Sequence, residues 1–188
     1  MKNLIKLFFI LLIVSCNKKT NDINFNEIIS FMIDKEAFPL IPPPALNDTT
    51  TINYKKFDSL YQTKLKIALY PALDSFSEKE LKSIPEKYQD VFNIQNNSQE
   101  KIKLNELISE KGHQIILADT VELKKYKDFK DFDLLFWFSN FYFSKDNQKV
   151  LFTLGVSQSR LAGSSAIYVL KKEDEKWMVE YYKEHEIW

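Results

Sequence analysis

Apolar residues follow a helical period early in this chain and a strand period late in it. Phe25, Ile28, Ile29, Met32 and Ile33 recur every three or four residues, which gathers them on one face of a helix. Asn24 stands at the N-cap position and Glu27 completes a capping box, so a helix is expected over about 25–35 with its stripe turned to a core. YKKFDSLYQ reads as a short helix. TKLKIALYP then changes the period to two, placing Leu65, Ile67 and Leu69 on one face of a strand that Pro71 ends. Ser77 and Glu80 form a second capping box, opening a helical stretch toward Phe92 that Pro85 breaks or restarts. Residues 101–111 fit strand and helix equally, and HQIILADT reads as a strand preceded by Gly112.

The last third is the most regular. LLFWFSNFYF is apolar on both faces, as a central covered strand is, and SKDNQK after it is a turn. VLFTLGVS sets Val150, Phe152, Leu154 and Val156 on one side; SSAIYVLKK follows a turn containing Gly163, and WMVEYYKEHEIW follows EDEK. Strict alternation on that last segment turns Trp177, Val179, Tyr181, His185 and Ile187 one way and Glu180, Glu184 and Glu186 the other. Helices first and strands at hairpin spacing last predict an α+β fold: N-terminal helices packed on a curved antiparallel sheet that ends in a four-strand meander. One domain is expected over 25–188. Within it, prolines 39, 42, 43 and 44 make 38–51 an extended connector, the other reading of such a run being a ligand for an aromatic groove.

Before the first helix, Lys2 and Lys6 precede an unbroken apolar run from Leu7 to Val14, and small Ser15 follows: the three parts of a secretory signal peptide. As a helix the run spans about 12 Å, against about 30 Å of hydrocarbon, too short for a permanent span. Bulky Ile13 stands where ordinary signal cleavage wants a small residue. The order Ile13, Val14, Ser15, Cys16 instead resembles the lipobox of bacterial lipoproteins. That resemblance implies removal of residues 1–15, a diacylglyceryl group on the Cys16 sulfur, and residues 16–24 as a polar tether. Each buried methylene contributes about 0.8 kcal/mol, so two or three acyl chains on one residue anchor the protein durably. The other reading of Cys16 is a thiol buried in an N-terminal helix. The expected location is the cell envelope, on the outer membrane; Lys18 and Lys19, unlike acidic surface-export tags, favour the periplasmic side.

The C-terminal segments FSNFYFSKDNQKVLFTLG and AGSSAIYVLKKEDEKWMVEYY resemble the closing strands of uncharacterised Bacteroidetes-type lipoproteins, and more loosely those of nuclear-transport-factor-2-like and cystatin-like folds. In those lipoproteins a cysteine pair flanks the glycine turn. Gln158 and Ala162 stand there in this chain, so no disulfide carries over, and the resemblance implies no particular activity.

Composition narrows the function classes. A chain of 188 residues, 45% hydrophobic, can bury one core unaided. Net charge is zero, and without Lys2 and Lys6 the 26 basic residues fall to 24 against 26 acidic ones, so nucleic acid is not an expected partner. Arg160 is the one arginine, which argues against a phosphate-rich ligand. With no cysteine besides Cys16, the mature domain has no thiol chemistry. Glycines at 112, 155 and 163 cannot build a phosphate loop, and no cofactor is expected.

His113 and His185 are too far apart for a local metal motif, and Glu184 and Glu186 cannot converge with His185 on one ion unless the strand bulges. Asp128, Asp131 and Asp133 in KDFKDFD lack the glycine and glutamate of a calcium loop and read as a solvated connector. Ser164 and Ser165 after Gly163 lack the second glycine of a nucleophile elbow. With Arg160 they form a candidate site for a small anion or carboxylate. His185 reads as a partly buried histidine hydrogen-bonded to the sheet, a position that also suits the mouth of a cavity. The expected function is therefore a membrane-anchored binding or scaffolding domain for an unknown protein or small ligand, with no catalytic residue assigned. The alternative is a small envelope hydrolase using carboxylates with His185. A deep polar cleft containing His185 and two convergent carboxylates favours the hydrolase, a cavity lined only by Phe, Tyr and Leu favours a ligand-binding module, and no cavity favours an interaction scaffold.

Overall fold

The computed structural model describes residues 25–39, 62–89, 92, 102–118, 131–159 and 161–187. The signal segment 1–15, the tether 16–24 with Cys16, the connector past Pro39, most of YKKFDSLYQ, Asp128 and Arg160 lie outside the described residues.

Helix α1, Phe25–Glu36, buries the predicted stripe of Phe25, Ile28, Ile29, Met32 and Ile33. These residues share one apolar cluster with Ile67, Leu69, Phe136, Phe138 and Phe152, and the Phe25 and Phe141 rings lie 5.8 Å apart. Burying each such side chain contributes about 1.5–3 kcal/mol. The one polar member of the buried face, Asn26, is satisfied locally: its Nδ2 donates to Glu106 Oε2 at 2.9 Å and its Oδ1 accepts from the Lys103 amide at 3.4 Å. It thereby ties α1 to a 3₁₀ turn, Leu104–Glu106, which is what the ambiguous 101–111 stretch contains.

Strands β1 (Lys66–Leu69), β2 (Gln114–Leu117), β3 (Leu134–Phe138), β4 (Tyr142–Phe143), β5 (Lys149–Ser159), β6 (Ala162–Glu173) and β7 (Lys176–Ile187) form a seven-stranded sheet in the order β2-β1-β3-β5-β6-β7, with β4 paired to β5. The sheet is mixed, not antiparallel as expected: β1 runs parallel to both β2 and β3. The long connection from Leu69 to Gln114 includes helices α2 (Glu78–Ser83) and α3 (Glu86–Gln89), and it returns the chain to the starting end of the sheet, so β2 enters in the direction of β1. From β3 onward, β3, β5, β6 and β7 pair antiparallel in succession. Ser77 caps α2 with the predicted box, its Oγ accepting from the Glu80 amide while Glu80 Oε2 accepts from the Ser77 amide. Ile84 and Pro85 separate α2 from α3.

Both faces of the long strands are covered. Val150, Phe152 and Leu154 join the cluster under α1, whereas Leu151, Ile167 and Val169 pack on the other face with Phe76, Tyr88 and Phe92. Three expectations fail here for identifiable reasons. The aromatic run is not one strand, because Ser139 and Asn140 interrupt it; Ser139 exchanges bonds with Thr153 through its amide (2.9 Å) and its Oγ (2.7 Å). Gly163 is not in a turn, and neither are Ser164 and Ser165: all three lie in β6 and pair with Ser157, Val156 and Gly155. Alternation along β7 is broken twice. The register on β6 shifts between Val169 and Leu170 and between Ser165 and Ala166, making Glu180 and His185 the extra residues of two bulges. Trp177 and Val179 therefore pack into the cluster under α1, but Tyr181 packs on the opposite face with Tyr88.

Candidate functional site

The second bulge matters most for chemistry. Adjacent strand residues point to opposite faces, so unbroken alternation would hold His185 apart from both its glutamates. The inserted residue brings His185 and Glu186 to one cleft, with Glu184 left on the other face of the sheet. The His185 side chain is 8% exposed and its Nε2 lies 3.9 Å from Glu186 Oε1. The cleft has a volume of about 380 Å³ and is lined by Asp74, Ser75, Ser77, Glu80, Trp137, Ser139, Thr153 and Ser165 besides these two.

Each wall follows from local structure. Asp74 lies past the end of β1, where the chain continues beside β3: its amide donates to the Phe138 carbonyl at 3.2 Å and its carbonyl accepts from the Asn140 amide at 2.7 Å. Glu80 is held by the capping box at the start of α2. Trp137 is the cross-strand partner of Gly155, and its indole occupies the space over that glycine. A Cβ on residue 155 would meet Trp137 Cε2 at 1.9 Å, so only glycine lets the ring lie there. Thr153 and Ser165, 5% and 7% exposed, come from neighbouring positions of β5 and β6.

Thr153 Oγ1 is buried without a hydrogen-bond partner. No hydrogen bond or ion pair from the described residues reaches the Asp74 carboxylate; burial, with the Glu80 charge adding to it, raises the Asp74 pKa above the ordinary carboxylate value. Glu186 moves the other way. Lys79 Nζ donates to its Oε1 at 3.0 Å, and that bond together with the lysine charge lowers its pKa. One cleft thus combines a carboxylate held by a lysine, a second carboxylate whose charge burial disfavours, an imidazole and several hydroxyls. Such a set can bind a polar ligand, and it also has the components of general acid and base catalysis.

The four residues singled out as a weak binding set do not stay together. Ser165 and His185 line this cleft; Ser164 lines a separate cavity of about 440 Å³ on the opposite face, beside Glu36, Tyr168 and Glu184; Arg160 lies outside the described residues. Asp74, Trp137 and Thr153 were not anticipated. The one signal for them was an isolated glycine inside an apolar strand, Gly155, which marks a close approach by another group.

Other candidates are less open to chemistry. Among the described residues no group of three or more His, Cys, Asp and Glu could hold a metal ion. The connector reading of KDFKDFD is corrected at its end: Phe132 is buried, and Asp133 Oδ2 accepts from the Lys66 amide at 2.7 Å, because the segment leads directly into β3 beside β1. A larger cavity of about 610 Å³ lies beside α1 and the β6–β7 turn. Four of its five carboxylates are engaged: Asp34 accepts from the Glu110 amide, Glu106 from Asn26 and Lys103, Glu175 pairs with Lys172, and Glu27 lies 4.0 Å from Lys172. His113 is structural, its Nδ1 accepting from the Leu65 amide at 3.1 Å.

No family model, no curated protein and no solved structure matches the chain. Among the described residues no helix is long and apolar enough to cross a membrane.

Proposed function

We propose that this chain is a cell-envelope lipoprotein: exported by residues 1–15, anchored to the outer membrane through lipid on Cys16, and facing the periplasm. Its domain, in which short helices pack on a curved sheet, binds a small polar ligand in the His185 cleft. The observation that carries the binding reading is the unpartnered, buried Thr153 Oγ1 lining a cleft with His185 and an unengaged Asp74 carboxylate. A buried hydroxyl without a partner costs about 1–3 kcal/mol, which a ligand hydrogen bond offsets. The anchoring reading is tested by metabolic labelling with a clickable fatty acid in wild type and Cys16→Ala. Wild type should carry label and sediment with membranes; a mutant that keeps both overturns the assignment.

A hydrolase is the second reading, favoured by the polar lining that joins His185 to Asp74, Glu80 and Glu186, the arrangement expected of such an enzyme, and by the opposed pKa shifts of Asp74 and Glu186. Asp74 would act as the acid and Glu186 or His185 as the base. Turnover of chromogenic glycosides or peptides that is abolished by Asp74→Asn, with the fold intact by circular dichroism, would establish it. No turnover alongside saturable binding would leave the binding module.

A further inference from the structure

Taking the His185 cleft as a ligand site, we propose that its ligand is an uncharged, hydroxyl-rich molecule, a sugar, seated against the Trp137 indole. Three features of the cleft carry the inference.

The first is the Trp137–Gly155 pair. The glycine's missing Cβ is what allows the indole to lie across the strand, since that atom would meet the ring at 1.9–2.5 Å. The ring is half-buried and lines the cleft. A flat apolar surface beside polar side chains suits a ligand with one C–H-rich face and a hydroxyl rim.

The second is the hydrogen-bonding inventory. Five hydroxyl side chains line the cleft, and a hydroxyl both donates and accepts; Ser77 Oγ already accepts from the Glu80 amide and Ser75 Oγ from Asn140 Nδ2 at 3.4 Å. Ser139 is already committed to Thr153 N and Asn140 O, but Thr153 Oγ1 has no partner. The ligand's hydroxyls match this mixed demand. Asp74 fits as well, because its carboxylate, which no described residue engages, can accept from a ligand hydroxyl.

The third is the sign of the charge. Asp74, Glu80 and Glu186 all line the cleft, and Lys79, the ammonium at its rim, is occupied by Glu186 at 3.0 Å. A phosphate or a sugar acid would enter against these carboxylates, and no lysine or arginine is among the described residues that line the cleft. A simple amine would suit the carboxylates and, through cation–π attraction, the indole, but would leave the hydroxyl lining without a role.

The test uses the full-length lipidated protein in detergent, titrated by calorimetry and saturation-transfer NMR with glucose, N-acetylglucosamine, glucuronate and glucosamine. The neutral sugars should bind saturably, with glucuronate at least about tenfold weaker. Thr153→Val keeps the side-chain shape and removes a hydroxyl that bonds nothing in the protein, so it should fold normally and weaken the neutral sugars up to about tenfold. Gly155→Ala, which displaces the ring, should weaken them further. Glucosamine or glucuronate binding more tightly than N-acetylglucosamine, with that binding still weakened in Thr153→Val, would overturn the assignment to an uncharged ligand and leave the cleft a ligand site. Neutral sugars binding equally to wild type and Thr153→Val would overturn the site itself.

Discussion

Replacing Gly155 with alanine should destabilise the domain, although strand glycines ordinarily tolerate the change. The new Cβ would fall 1.9 Å from Trp137 Cε2, 2.0 Å from Cζ2 and 2.5 Å from Nε1, well inside any real contact. The backbone of β5 is fixed by partners on both sides, so the indole must move. Overpacking of this kind costs about 1–3 kcal/mol. Expelling a half-buried indole altogether sets a similar ceiling: roughly 100 Å² of apolar contact at about 25 cal/mol/Å² is about 2.5 kcal/mol. Against this, removing a glycine lowers unfolded-state entropy and stabilises by about 0.4–1 kcal/mol. The net expectation is a loss of about 1–2 kcal/mol. A double-mutant cycle isolates the contact. In a Trp137→Ala background the same Gly155→Ala change should be neutral or stabilising, so the coupling energy should reach about 2–3 kcal/mol by urea unfolding followed in the far-ultraviolet. If Gly155→Ala lies within about 0.5 kcal/mol of wild type, or has the same effect with and without the tryptophan, the ring is not where the cleft requires it.

Ser77→Ala should cost about 1 kcal/mol in urea unfolding, because it removes the acceptor for the Glu80 amide and opens the capping box at the cleft wall. Asn26→Ala should cost about 1–3 kcal/mol, since it strands the Lys103 amide and loosens α1 from the 3₁₀ turn; an unchanged midpoint would refute that role. His113 is held below its ordinary pKa, chiefly by burial with Lys111 adding to it and Asp34 opposing, so the unfolded chain takes up its proton first. Stability should therefore fall as pH drops through about 6.5, and His113→Asn, which keeps an acceptor near the Leu65 amide, should flatten that part of the profile.

How legible these features were depends on the range of the interaction. The Ser77–Glu80 box and the α1 stripe rest on contacts within one turn, and the sequence carries them openly. Leu65, Ile67 and Leu69 likewise share a face because strand alternation is local. The direction of β2 was not legible, because nothing in QIIL records which end of the sheet the preceding connection reaches. The cleft was less legible still. Its residues come from the segment after β1, the start of α2, and β3, β5, β6 and β7, so it exists only once pairing partners are chosen. Trp137 and Gly155 meet through register, not through spacing.

The bulge at His185 shows why a single residue decides the site. On an ideal strand the parity of a position fixes its face, and Glu186 and His185 would look in opposite directions. One residue more on β7 than on β6 cancels that rule between Glu184 and Glu186, and His185 and Glu186 then line the same cleft. Two strands away, β5 responds in its own composition. At Thr153 a valine would keep the shape, suit a strand and avoid a buried hydroxyl with no partner, so stability alone favours valine there. Threonine instead leaves an unmet hydrogen bond that lines the cleft with His185, and this local loss of stability is what a bound hydroxyl-rich ligand would restore.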